Sequence, residues 1–254
     1  MKKILLILAI ASVAATATAA GHRRGIAAFT NITIPVMANT AGLQGAFFKT
    51  RVAIFNPTTL SYPIAVTLYN NNGQAGAATI NIAAGQVRNY DNFLQQIFSY
   101  TGAGSVQFDS LSGAPGGSSS RDFIVTSEVY AQGPSGIFKT VVSGGPLIEN
   151  SLPDFDSFSL GIHVNVNSRT NVGCFNDSPG ANQVNADVYD SGGTLLTTIT
   201  FNLGPKAWNQ LPVPVNVTGG YIKWRLQSAG FCYAVVVDNS SNDGTFIPAS
   251  DYIP

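Results

Sequence analysis

Charge is what this chain has least of. Asp, Glu, Lys and Arg together make up 10% of its 254 residues, against about a quarter in an ordinary globular protein. No basic patch with interleaved aromatics occurs, and the formal net charge is zero, so no broad field gathers nucleic acid or anionic lipid. Histidine, cysteine, methionine and tryptophan occur twice each. Two histidines without a Cys, Asp or His at ligand spacing exclude the usual zinc patterns. Neither a phosphate-cradling G-x-x-x-x-G-K-[ST] loop nor a dinucleotide fingerprint is present. After the N-terminus, no apolar run reaches the roughly 20 residues that a spanning helix needs. Surface polarity therefore rests on Asn, Ser, Thr, Gln and Gly, a composition common in extracellular all-β proteins.

The start of the chain, MKKILLILAIASVAATATAAGHRR, has a lysine pair, an apolar stretch from Ile4 to Val13, and small residues at Ala17-Thr18-Ala19 and Ala20. This pattern is that of a secretory signal peptide over residues 1–20. The expected mature chain then carries 11 basic and 13 acidic residues. A secreted or periplasmic location is expected, with no membrane insertion after cleavage. In such an oxidising compartment Cys174 and Cys232 can pair; two separate buried thiols are the alternative.

The chain repeats itself. KTRVAIFNPTT (49–59) matches RTNVGCFNDSP (169–179) at an offset of 120. The same offset lays Leu68-Tyr69 on Val188-Tyr189, and the turn NNNG (70–73) on DSGG (190–193). Further landmarks follow in the same order: INIAAG (80–85) on FNLGPK (201–206), GSVQF (104–108) on GYIKW (220–224), GIFKT (136–140) on GTFIP (244–248). Each reads as a short β-branched or alternating strand. Asn56-Pro57 ends a strand with an Asx-type turn, and Asn72-Gly73 and Gly192-Gly193 close hairpins. One helix is expected in NYDNFLQQIFSYTG, with Phe93, Leu94, Ile97 and Phe98 on one face, a cap at Asp91 or Asn89, and a stop at Gly102. In the second copy Pro212 and Pro214 forbid a helix there, and an extended crossover is expected.

These signals predict an all-β chain of two tandem antiparallel immunoglobulin-like β-sandwich domains, spanning residues 25–148 and 155–254, with one short helix in the first. The boundary is expected near 143–159, and 111–121 is expected to be a loop within the first unit. Laying VTSEV on YAVVV sets Cys232 opposite Ile124, while Cys174 sits at the position of Ile54. Both counterparts read as core positions. The pair is therefore expected to meet across the two sheets of one sandwich.

The landmarks F-x-T-x-x-x-x-F-N-P, an A-A-G-type strand end with a short helix, and G-x-F-x-x closing each copy resemble a tandem β-sandwich module of bacterial secreted proteins, mostly uncharacterised. The resemblance implies a two-lobed all-β fold and an extracytoplasmic setting. It brings no catalytic residue.

Chemistry is sparse. His22 lies in a tail and His163 on an alternating strand. Neither GGSSSR nor GPSGI fits a strand-to-helix serine elbow. The carboxylates Glu128, Asp154, Asp156, Asp187 and Asp190 read as solvated charges rather than as a glycosidase pair. DNSSNDG (238–244) crowds oxygen atoms as calcium loops do, yet lacks the EF-hand spacing. Trp208 and Trp224 are possible sugar platforms, but their counterparts Val87 and Phe108 read as core, so core packing is favoured. No catalytic residue, cofactor or metal is expected. The leading expectation is a non-catalytic interaction or accessory module at the cell envelope or outside the cell, binding an envelope or extracellular protein or glycan. The alternative is a structural subunit that self-assembles by adding its N-terminal segment (25–38) as a strand to a neighbour.

Overall fold

In a computed structural model, residues 31–110, 123–133, 136–144, 153 and 155–252 are described. The expected signal peptide (1–20), His22, the expected loop 111–121, Asp154 and most of the expected boundary lie outside them.

The first half contributes β1 (Asn31–Ala41), β2 (Phe47–Phe55), β3 (Tyr62–Asn70), β4 (Gly73–Ile82), β5 (Val87–Tyr90), α1 (Phe93–Phe98), β6 (Gly102–Ser110), β7 (Ile124–Gly133) and β8 (Gly136–Val141). The second contributes β9 (Asp156–Val164), β10 (Ser168–Asn176), β11 (Asn182–Tyr189), β12 (Leu195–Leu203), β13 (Trp208–Pro212), β14 (Val217–Leu226), β15 (Gly230–Asp238), β16 (Gly244–Pro248) and β17 (Ser250–Tyr252). All described pairings are antiparallel. The fold is an all-β sandwich.

The repeat is visible in the strand order. The second half forms two sheets, β12-β11-β14-β9-β17 and β13-β10-β15-β16. Shifting each label down by eight gives β4-β3-β6-β1 and β5-β2-β7-β8, the two layers of the first half, which β1 joins into one sheet by pairing with β2 at Asn39–Ala41. Alternation builds the layers. In β3, Tyr62, Ile64, Val66 and Leu68 point inward and are fully or almost fully buried, with half-buried residues between them. Residues 31–34 and 37–38 of the N-terminal segment are paired within the chain, against β6, with a register shift between them, and Ile32 and Ile34 are buried.

Two polar clips recur with the repeat. Thr50 Oγ1 accepts from Ala38 N at 2.7 Å and donates to Ala38 O at 3.2 Å; at the matching place Thr170 Oγ1 donates to His163 O at 2.6 Å. Asn56 is fully buried. Its Nδ2 donates to the carbonyls of Leu60, Ile82 and Ala83, while its Oδ1 accepts from Thr58 N at 2.9 Å. Asn176 does the same with Gly180, Gly204 and Ser178 N. The Asx turn expected at Asn56 is thus the visible part of a buried amide that ties two loops together.

Four expectations are corrected. The helix is six residues long, with Asn92 as its N-cap and Ser99, at φ 50°, as its C-cap; Gly102 instead opens β6. Its Phe93 and Leu94 are buried, and Ile97 and Phe98 are half-buried, packed against the core. The cysteines do not face each other across sheets. They are direct cross-strand partners in one sheet, on β10 and β15, with Sγ atoms 2.12 Å apart, a disulfide distance. Ile54 pairs with Val125, so Cys232 corresponds to Val125 and not to Ile124. That one-residue slip matters because neighbouring strand positions face opposite sides. Finally, Val87 is half exposed rather than core.

The halves pack against each other, and this explains why the copies diverged. The outer face of β5-β2-β7-β8 bears a charged network: Arg51 contacts Glu128 at 3.0 Å and Asp91 at 3.1 Å, and Lys139 contacts Glu128 at 2.8 Å. The equivalent face of the second half carries Phe175, Trp208 and Tyr233, which join the hydrophobic cluster of the first half. The rings of Tyr69 and Phe175 lie 5.1 Å apart, and Phe246 N donates to Thr140 Oγ1 at 3.1 Å. Trp208 Nε1 donates to Tyr233 Oη at 3.1 Å, and Tyr233 Oη donates to Gln210 Oε1 at 3.0 Å, so the buried hydroxyl is satisfied. Gly173 makes room for it: a Cβ there would stand 2.3 Å from Tyr233 Oη.

Candidate binding surfaces

Most of the polar residues singled out in the sequence serve the frame. Glu128 is held by Arg51 and Lys139. Asp156 is paired with Lys223 at 2.8 Å. His163 Nδ1 accepts from Gly219 N at 3.4 Å, and its carbonyl receives Thr170. Asp190 Oδ1 accepts from Gly192 N and Thr194 N and so closes the β11–β12 hairpin. Those backbone bonds, from Thr194 first, hold its carboxyl below the ordinary range.

Asp187 is buried on β11. Arg225, its neighbour on β14, grips both carboxylate oxygens at 2.6 and 2.9 Å, and Thr198 donates at 2.7 Å. Burial pushes the carboxyl up, but the Arg225 and Thr198 bonds outweigh it, and the net shift is downward. A depressed carboxylate contributes stability that is present above its unfolded pKa of about 4 and lost as pH falls through the folded value. Wild type is therefore expected to exceed Asp187→Asn in unfolding free energy above about pH 4, with the gap closing on further acidification. Urea unfolding across pH reads this, and a gap that stays constant into strong acid would sink it.

The oxygen-rich loop 238–244 is tied up by its own donors. Asp238 Oδ1 accepts from the amides and hydroxyls of Ser240 and Ser241 at 2.6–2.9 Å. Among the described residues no cluster of three His, Cys, Asp or Glu side chains is placed to hold a metal. The tryptophans are core residues: Trp224 is fully buried with Nε1 donating to Ser159 Oγ at 3.0 Å, and Trp208 lies between the halves.

One surface was not singled out in the sequence. Strand β9 is inside out. Ser157 and Ser159 are fully buried, while Leu160 is 65% exposed and Phe158 half-buried on the outer face. Leu160, Phe158, Tyr221, Ile247, Pro248 and Tyr252 line an open groove of about 660 Å³. Tyr221 and Tyr189, direct cross-strand partners, stack at 4.9 Å with an interplanar angle of 6°. Lys223 Nζ sits 5.9 Å from the centre of the Phe158 ring. The signal was present in SFSLGIHV: its serines and its apolar residues alternate. Only the sheet shows which set faces out, because period-2 alternation is symmetric about the strand.

No family profile matches the sequence, and no curated protein matches it. Among solved structures, Bacteroides uniformis β-glucuronidase 2 covalently bound to cyclophellitol-6-carboxylate aziridine is similar over 80% of this chain and 24% of its own, at 13% identity and a TM-score of 0.16. A further crystal structure of Bacteroides uniformis β-glucuronidase aligns over 82% and 25%, at 12% identity and 0.16. An anti-sigma factor domain-containing protein aligns over 88% and 98%, at 8% identity and 0.20. The chain spans about a quarter of the length of the glucuronidases. Similarity of this size bears on neither activity nor ligand.

Proposed function

We propose that the chain is a non-catalytic, extracytoplasmic interaction module that binds a protein partner through the outer face of β9 and β14. The observation that carries this reading is Leu160, an exposed aliphatic side chain in a strand whose serines are buried. Clustered apolar surface of this kind marks an interaction site more often than it marks idle surface. A protein partner fits because the groove is largely aliphatic, with Leu160, Ile247 and Pro248 in its walls, and stacking already covers one face each of Tyr189 and Tyr221. The export signal in the sequence and the cysteine pair at disulfide distance support the extracytoplasmic setting. Engagement of Glu128, Asp156, Asp187, Asp190 and His163 in structural bonds supports a non-catalytic role. Self-assembly through residues 25–38 has less support, since residues 31–34 and 37–38 already pair with β6.

The test is binding of residues 21–254 to secreted proteins, purified peptidoglycan and a glycan panel, each repeated with Leu160→Asp. A protein ligand whose affinity falls about tenfold or more in the variant, as a lost hot spot predicts, supports the reading. Sugar binding, or protein binding that the variant leaves intact, overturns it.

A further inference from the structure

Where the second half meets the first, a cleft of about 130 Å³ remains. Its walls are mainly apolar: Val36, Ala38, Phe48 and Val129 from one half, Val235 and Val237 from the other. One charged side chain, Arg169, lines it, with the amides of Asn171 and Gln210 beside it.

Arg169 is unusual for a half-buried cation. Its Nη1 donates to Asn239 Oδ1 at 3.0 Å and its Nη2 to Asn242 Oδ1 at 2.7 Å, both neutral amides. Among the described residues no carboxylate stands within ion-pair distance of it. The near carboxylate is Asp238, whose Oδ1 is held by Ser240 and Ser241. Burial lowers the guanidinium's pKa from its ordinary value, and Asp238 opposes that. A guanidinium has five N–H donors in a fixed fork matched to carboxylate geometry. Two of them go to the asparagines. A cation partly stripped of water, with no direct ion pair and only Asp238 acting on it at longer range, favours an incoming anion, and the valine walls favour an apolar tail. Ligand sites of this make, apolar with a few convergent polar groups, concentrate at junctions between structural units.

We infer that this cleft binds a small aliphatic monocarboxylate, with the carboxylate on Arg169 and the tail against Val36, Val129, Val235 and Val237. A cavity of roughly 150 Å³ accepts a benzene-sized group, which sets the tail at about five or six carbons. This site is separate from the outer face of β9 and does not depend on it.

The experiment titrates residues 21–254 with hexanoate, 1-hexanol and hexylamine, by calorimetry and by the Arg side-chain Nε–H signals in NMR. Hexanoate is expected to bind about tenfold to a hundredfold tighter than 1-hexanol, the range of one charge-assisted hydrogen bond, and to shift one Arg Nε–H signal. Arg169→Gln is expected to erase that preference. Ala103→Leu, which fills the cleft from a half-buried wall position and keeps the guanidinium, is expected to remove binding of hexanoate too. Far-ultraviolet circular dichroism confirms that each variant is folded. Equal affinity for hexanoate and 1-hexanol, hexanoate binding unchanged in either variant, or no saturable binding at millimolar hexanoate overturns the inference.

Discussion

Asn56→Ala is expected to lower the unfolding free energy by about 3–5 kcal/mol. The side chain is fully buried and serves three backbone carbonyls, those of Leu60, Ile82 and Ala83. Alanine removes the amide donor from all three, but Leu60 O keeps Thr58 Oγ1 at 3.1 Å; the loss falls on the Ile82 and Ala83 carbonyls, and each buried group so orphaned costs about 1–3 kcal/mol. The turn acceptor for Thr58 N is lost as well. Asn56→Asp should be worse than alanine. It keeps the oxygen that receives Thr58 but places an acceptor where three carbonyls need a donor. The same order is expected at Asn176, which bonds Gly180 O and Gly204 O at 2.8 and 2.7 Å. Chemical denaturation of wild type and the four variants measures this. An aspartate as stable as wild type would show that the amide donor contributes nothing.

Joint replacement of Cys174 and Cys232 by alanine should cost about 4 kcal/mol, from the 58-residue loop that the bond closes in the chain-entropy account. The loop holds β11 through β14, so releasing it enlarges the unfolded ensemble of most of the second half. For a chain of this size that is a fall in melting temperature of roughly 10 °C. Both sulfurs are buried, at 0% and 5% exposure, in the cluster with Val172, Val184 and Trp224. Reductant added to folded wild type should therefore act slowly, and only through opening. A double variant that melts within a degree of wild type would mean that the pair contributes no constraint.

The sequence alone carried the short strands it singled out, the repeat and most of its alignment. Short β-branched runs divided by Asn, Gly and Pro leave few other options, because turn chemistry and alternation are local properties. The order of landmarks over 49–140 and 169–248 anticipated that the strands from β2 onward recur from β10 onward; the recurrence of β1 as β9 lies outside those landmarks. Asn56 and Asn176 were legible as turn formers. Their reach to carbonyls 26 to 28 residues away was not, since only pairing in the sheets brings those loops together.

Faces were decided by tertiary structure. A strand pattern of period two says which residues share a side, never which side is covered. SFSLGI by itself does not say which set is covered; the sheet places Ser159 beside Trp224 and Leu160 outside. The register of Cys232 failed for a related reason: a slip of one residue leaves the composition of the strand unchanged and reverses its faces. Trp208 has an exposed counterpart in Val87, because the first copy shows that position to solvent and the second buries it against the first half. Arg169 likewise matches Lys49 by position, yet only the docking of the halves brings the guanidinium to a valine-walled cleft. Local chemistry set the elements; long-range burial, which depends on what packs over each face, chose which side chains are frame and which are left to meet a partner.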